Sequence, residues 1–128
     1  MGGCGTFASG NNSDFVYQKA GEIEGVKILV GKPGTGKHIL PEESHSPSTA
    51  YVRLDSKGVF REIRFYGPDH RITMEIGYHV DAKLSPNGKP VLHFHLYPDG
   101  KMENRTAGDF LTSAMKEKYK KFFKGVPL

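Results

Sequence analysis

Three histidines carry the strongest chemical signal in the chain: His79, His93 and His95. Imidazole titrates near neutrality and both takes and gives a proton, so a group of them can run general acid–base chemistry. His93 and His95 are two residues apart, and residues two apart on a strand share a face. Leu92, Phe94 and Leu96 interleave with them, so burying those three turns both imidazoles away from the core, beside Val91 and Tyr97. The same alternation over 71–79 groups Ile72, Met74, Ile76 and Tyr78 on the apolar face, with Arg71, Thr73, Glu75, Gly77 and His79 opposite. Over 59–66 it groups Val59, Ile63 and Phe65 inward, with Glu62, Arg64 and Tyr66 opposite. A tight hairpin at 67–70 predicts Tyr66 across from Arg71 and Glu62 across from Glu75, a like-charge pair that calls for a nearby cation. It also predicts a hollow where Gly77 faces Phe60.

Metal-independent RNA cleavage needs one group to take the 2′-hydroxyl proton, one to protonate the leaving oxygen and a cation for the phosphorane. His79, His93, His95, Glu75 and Arg64 supply those types and are the predicted catalytic residues. Arg71, Tyr97 and His45, the last in a long loop, are the predicted substrate contacts. This chemistry calls for no metal and no cofactor. Two other readings stay open on residue type alone. His93 and His95 with His79 or a carboxylate make a three-ligand set for a metal-dependent hydrolase. A solvated polar sheet face serving a non-enzymatic binding module is the third.

The elements that must position these groups are legible from periodicity. Short strands are predicted at 51–54, 59–66, 71–79 and 90–97, separated by turns at 55–58, 67–70 and 98–100. Those turns are too short for parallel crossovers, so a meander of antiparallel strands is expected over 51–97. Val26 to Val30 reads as another short strand. From Phe110 the period changes: Phe110, Leu111, Ala114, Met115, Tyr119, Phe122 and Phe123 recur at three- and four-residue spacing, an amphipathic helix. Thr112 or Asp109 is placed to cap it and Gly125 with Pro127 to end it. The fold class is therefore α+β, an antiparallel sheet with a C-terminal helix packed on its apolar face. Residues 1–14 read as a flexible Gly-rich lead-in and 15–128 as a single globular domain.

Composition narrows the classes. The 128 residues carry 18 Lys and Arg against 14 Asp and Glu, a mild excess of +4 that permits a polyanionic partner without demanding one. One cysteine, Cys4, excludes an intramolecular disulfide and a cysteine-rich zinc site. No apolar run is long enough to cross a bilayer as a helix, so no membrane partner is expected. Met1-Gly2 with Thr6 matches a myristoylation pattern, but no basic cluster follows to complete a membrane anchor. Gly31 to Lys37 has the glycine and lysine spacing of a phosphate-binding loop. The next position must be Ser or Thr to hold Mg²⁺ and is His38, and Pro41 follows where a helix should open, so no nucleotide binding is expected.

Several short motifs occur in a fixed order: Gly31-Lys32-Pro33-Gly34-Thr35-Gly36, Leu40-Pro41-Glu42-Glu43-Ser44-His45-Ser46-Pro47, Tyr66-Gly67-Pro68-Asp69, Glu75-Ile76-Gly77-Tyr78-His79 and His93-Phe94-His95-Leu96-Tyr97. This pattern, over about residues 25–125, resembles small C-terminal domains of bacterial polymorphic toxins and prophage head-morphogenesis proteins. The glycine-rich opening resembles the linker that precedes such domains. The resemblance implies a barnase-like, colicin-like or RelE-like ribonuclease, with His79, His93 and His95 in the site and Arg64 and His45 beside them. It implies RNA and an immunity protein as partners. It implies a location in the cytoplasm, or delivery as part of a larger phage or toxin protein. Nucleases of that type carry helices before the sheet, whereas here the helix follows it.

Overall fold

The computed structural model describes residues 17–31, 40–44, 49–85 and 87–128. The glycine-rich lead-in, the loop with phosphate-loop spacing after Gly31 and His45 all lie outside the described residues.

Seven strands form one sheet in sequence order: β1 (Tyr17–Ile23), β2 (Val26–Gly31), β3 (Ala50–Leu54), β4 (Phe60–Tyr66), β5 (Ile72–His79), β6 (Val91–Leu96) and β7 (Asp109–Phe110). Neighbours pair antiparallel except β2 and β3, which run parallel. Residues 32–49 join those two, enough chain for a crossover. The α+β architecture therefore stands, with a sheet wider than 51–97. β1 and β7 were not anticipated. The two residues of β7 satisfy the open edge of β6 opposite His93 and Phe94, which takes Phe110 out of the predicted helix.

The helix α1 (Ser113–Tyr119) is correspondingly short. It begins where the Thr112 hydroxyl accepts from the Met115 amide at 3.1 Å, a side-chain cap for an orphan donor. A 3-10 turn (Lys120–Phe122) continues it, and Gly125, at φ 76°, turns the chain away. Buried packing against the sheet comes mainly from residues flanking the helix. Leu111, Phe122, Phe123 and Val126 join Ala50, Val52, Phe60, Ile63 and Ile76 in the main core. The Phe60 and Phe123 rings lie 5.0 Å apart and tilted, a favourable aromatic geometry. Among the described residues no helix is long and apolar enough to cross a membrane.

Two bulges correct the face assignments. Arg53 pairs with Glu62 but Leu54 with Phe60, so Arg61 is the extra residue and Phe60 turns into the main core. Phe65 pairs with Met74 but Tyr66 with Ile72, so Thr73 is extra and Ile72 turns to the other face. There it joins Leu29, Leu40, Tyr51, Tyr66 and Tyr97 in a second buried cluster. The polar face is thus half-covered and not simply solvated. Leu40 and Pro41 lie over it, tied down by Tyr66 Oη donating to the Pro41 carbonyl at 2.6 Å and by Arg64 Nη1 donating to the Leu40 carbonyl at 2.6 Å.

The hairpin register also differs from the expected one. The loop at 67–70 closes with His70 in the left-handed region, φ 68°, and the Gly67 amide donating to the Arg71 carbonyl. Together with the Thr73 bulge, this moves β4 two residues along β5. Arg64, not Glu62, faces Glu75, and Glu62 faces Gly77. The unfavourable like-charge pair does not form; opposite charges meet instead.

Candidate functional site

Two cross-strand rungs build the site. One runs Arg53, Glu62, Gly77, His93 across β3 to β6, and the next runs Tyr51, Arg64, Glu75, His95. His79 ends β5 on the same face. The loop after it supplies Asp81, and the segment before β7 supplies Arg105, Thr106 and Gly108. A cleft of about 310 Å³ opens between them, lined by Arg53, Glu62, Arg64, Glu75, His79, Val80, Asp81, His93, His95 and Arg105.

The imidazoles stand in a row. The His79 and His93 rings are 6.1 Å apart, and the His93 and His95 rings 5.2 Å apart, edge to face. His93 and His95 are only 5% and 6% exposed. They face away from the main core as expected, yet they are buried, because Asp81 and the 105–108 segment close over them. Two glycines make that packing possible. A Cβ on Gly77 would meet His79 Cδ2 at 2.7 Å and His93 Cε1 at 3.5 Å. One on Gly108 would meet Asp81 Oδ2 at 2.9 Å, His95 Cε1 at 3.1 Å and His93 Cδ2 at 3.4 Å. The hollow expected at Gly77 is therefore occupied by imidazole rings.

Hydrogen bonds fix which ring nitrogens face the cleft. His93 Nδ1 lies 3.0 Å from the Val91 carbonyl and His95 Nδ1 2.8 Å from the Thr106 carbonyl. A carbonyl oxygen only accepts, so both Nδ1 atoms carry the proton and both Nε2 atoms hold a lone pair when the rings are neutral. Burial pushes the His95 pKa down and favours the neutral ring; the Thr106 carbonyl opposes this, and the nearby Arg105 charge reinforces it.

The carboxylates are heavily committed. Glu75 Oε2 accepts from Arg64 Nε at 2.7 Å and Glu75 Oε1 from Tyr97 Oη at 3.3 Å. Glu62 Oε2 lies 3.4 Å from both Arg53 Nη2 and His79 Nε2, while Oε1 accepts from the Leu40 amide at 3.2 Å. Burial alone would raise the Glu62 pKa. The hydrogen bond with His79 and the Arg53 and Arg64 charges outweigh it and hold the carboxyl below its ordinary range. Tyr97 is pushed up to about 12 by burial and by the Glu75 charge. Arg53 Nε is buried with no hydrogen-bond partner among the described residues.

Five of the sequence-derived candidates, His79, His93, His95, Glu75 and Arg64, line this one cleft. Tyr97 lies beneath it, bonded to Glu75. Arg71 lies apart: its backbone pairs with that of Glu43 in an isolated antiparallel β-bridge, and it lines a separate concavity with Glu42, Glu43 and Gly100. Asp81, Arg53 and Arg105 were missed. Asp81 carried a signal, being an acidic residue two positions past His79 at a strand end. Its Oδ1 accepts from the Lys83 and Leu84 amides at 2.8 and 3.0 Å, and those bonds hold its pKa low. Arg53 carried a weaker one, since it shares strand parity with Tyr51.

Compared with known protein families, curated proteins and solved structures, the chain shows no significant match.

Proposed function

We propose that the cleft is the active site of a toxin-like ribonuclease that cleaves by general acid–base chemistry without a metal. One observation carries this: three imidazoles stand in a row along a cleft that also presents Arg53 and Arg105, with the Nε2 atoms of His93 and His95 left for substrate. Buried polar residues so fully bonded hold their geometry before a ligand arrives, which is what acid–base catalysis needs.

The roles follow from the bonding. His95, with Nδ1–H fixed on the Thr106 carbonyl, takes the 2′-hydroxyl proton at Nε2. The 2′-oxygen bonds to phosphorus and the bond from phosphorus to the 5′-oxygen breaks. His79, acting as the imidazolium paired with the Glu62 carboxylate, gives its Nε2 proton to the leaving oxygen and is left a neutral ring. His93 sits between them. The Arg105 guanidinium meets the developing phosphorane charge, the Arg64 and Arg53 charges being shared with Glu75 and Glu62. The products are a 2′,3′-cyclic phosphate and a 5′-hydroxyl. Such a domain acts on cytoplasmic RNA, in its own cell or in one it reaches within a larger phage or toxin protein. An immunity protein that fills the cleft is the matching partner.

The test is incubation of the protein with RNA in excess EDTA, with the product ends identified by mass spectrometry. Cleavage to cyclic-phosphate ends supports the proposal. Cleavage only on adding a metal would make the site a metal-dependent hydrolase. Inertness under both conditions would leave a binding module.

A further inference from the structure

The arrangement that frees two imidazole nitrogens for proton transfer also meets the requirements of a metal centre. Asp81, His93 and His95 each offer one ligand atom, a ring nitrogen or a carboxylate oxygen, and these atoms all lie within 4.8 Å of one another. Ligating histidines characteristically donate their other ring N–H to a carbonyl or carboxylate, which fixes the tautomer and aims the lone pair. Val91 and Thr106 do this for His93 and His95. The third group is held equally firmly, since the Lys83 and Leu84 amides anchor Asp81 Oδ1. Oδ2 lies on the side of Gly108, near the imidazoles.

Ligand chemistry selects the ion. Two neutral imidazoles and one carboxylate suit borderline ions such as zinc or cobalt, whereas magnesium and calcium prefer oxygen. Bonds of about 2.0–2.2 Å to a tetrahedral ion call for ligand atoms a little over 3 Å apart. Three protein ligands leave a fourth position open on the cleft.

We propose that Asp81, His93 and His95 form a zinc-type divalent metal site, and that metal binding there and proton transfer at the same imidazoles exclude one another. The second clause rests on the ribonuclease reading above; the first does not. A metal takes the lone pair of His95 Nε2 that would accept the 2′-hydroxyl proton, so an occupied site is a silenced nuclease. The cleft would then sense free zinc without any change of fold.

Binding and activity are measured separately. Zinc is titrated into metal-free protein by calorimetry, and histidine ring nitrogens are followed by long-range ¹⁵N–¹H correlation. One zinc per chain should bind, and the Nε2 resonances of His93 and His95 should shift far more than those of His79. Asp81→Asn should weaken zinc binding at least tenfold and raise the zinc concentration that inhibits cleavage by a similar factor. Asparagine keeps an oxygen for the Lys83 and Leu84 amides, and the wild-type ring shifts stand even if that variant misfolds. Absence of stoichiometric binding, or shifts at other histidines only, overturns the metal site and leaves EDTA-resistant cleavage untouched. Zinc bound at His93 and His95 together with cleavage that requires it keeps the site and overturns both the exclusion and the metal-independent mechanism.

Discussion

Replacing Glu75 by Gln removes the charge that Arg64 faces at 2.7 Å between β4 and β5. The two side chains are 4% and 10% exposed, so solvent does little to screen either charge. Breaking a buried pair by removing one partner typically costs about 3–5 kcal/mol, because the survivor is left uncompensated. Glutamine keeps an oxygen for Arg64 Nε, and Arg64 Nη1 keeps the Leu40 and Pro41 carbonyls at 2.6 and 3.3 Å. The loss should therefore fall at the lower end, about 3 kcal/mol. With a urea m-value of roughly 1–3 kcal/mol/M for a small domain, the midpoint should drop by about 1 M or more. The assay is a urea titration followed by circular dichroism, wild type beside variant at pH 7. The double variant Arg64→Met, Glu75→Leu should not recover the loss in full, since it also strips the Leu40 carbonyl of its Arg64 donor and Tyr97 Oη of its acceptor. A Glu75→Gln loss below about 1 kcal/mol, the worth of an exposed ion pair, would refute the buried electrostatic floor of the cleft.

Acid should act through Glu62, whose pKa is held below its ordinary 4.5. Its contribution to stability is complete above that unfolded value and is lost as pH falls through the lower folded value, so Glu62→Gln should flatten the acid limb of a stability–pH curve. Gly77→Ala and Gly108→Ala should fold, neither glycine needing a left-handed backbone; by crowding the imidazoles they should cut RNA cleavage at least tenfold with a melting loss of about 1–3 kcal/mol. Phe123→Ala should cost about 3–5 kcal/mol in the same urea assay, emptying the core against Phe60. His93→Ala should cost about 1–3 kcal/mol, because the ring is buried and hydrogen-bonded.

The sheet and the shared face of His79, His93 and His95 were legible because strand alternation is a local property of the chain. The positions of Phe60 and Ile72 were not. Each depends on one bulged residue, Arg61 and Thr73, which reverses parity without marking the sequence. The Thr73 bulge and the 67–70 loop together moved Glu75 from Glu62 to Arg64, so the charge pairing was readable only after the register was known. Burial of His93 and His95 was hidden as well. It depends on Asp81 and the 105–108 segment, which approach from outside the strands and fit only because residues 77 and 108 are glycine. The helix was overextended because Phe110 and Leu111 fit its period while β6 still had an open edge to pair.

The most direct test of the acid–base cleft is kcat/KM for RNA cleavage in EDTA, measured for wild type, His79→Ala and His95→Ala with folding checked by circular dichroism. Each variant is expected to fold and to lose about a hundredfold or more, the usual worth of a general acid or base. Wild-type cleavage to cyclic-phosphate ends that both folded variants retain within a few-fold would contradict the assignment of this face as the active site.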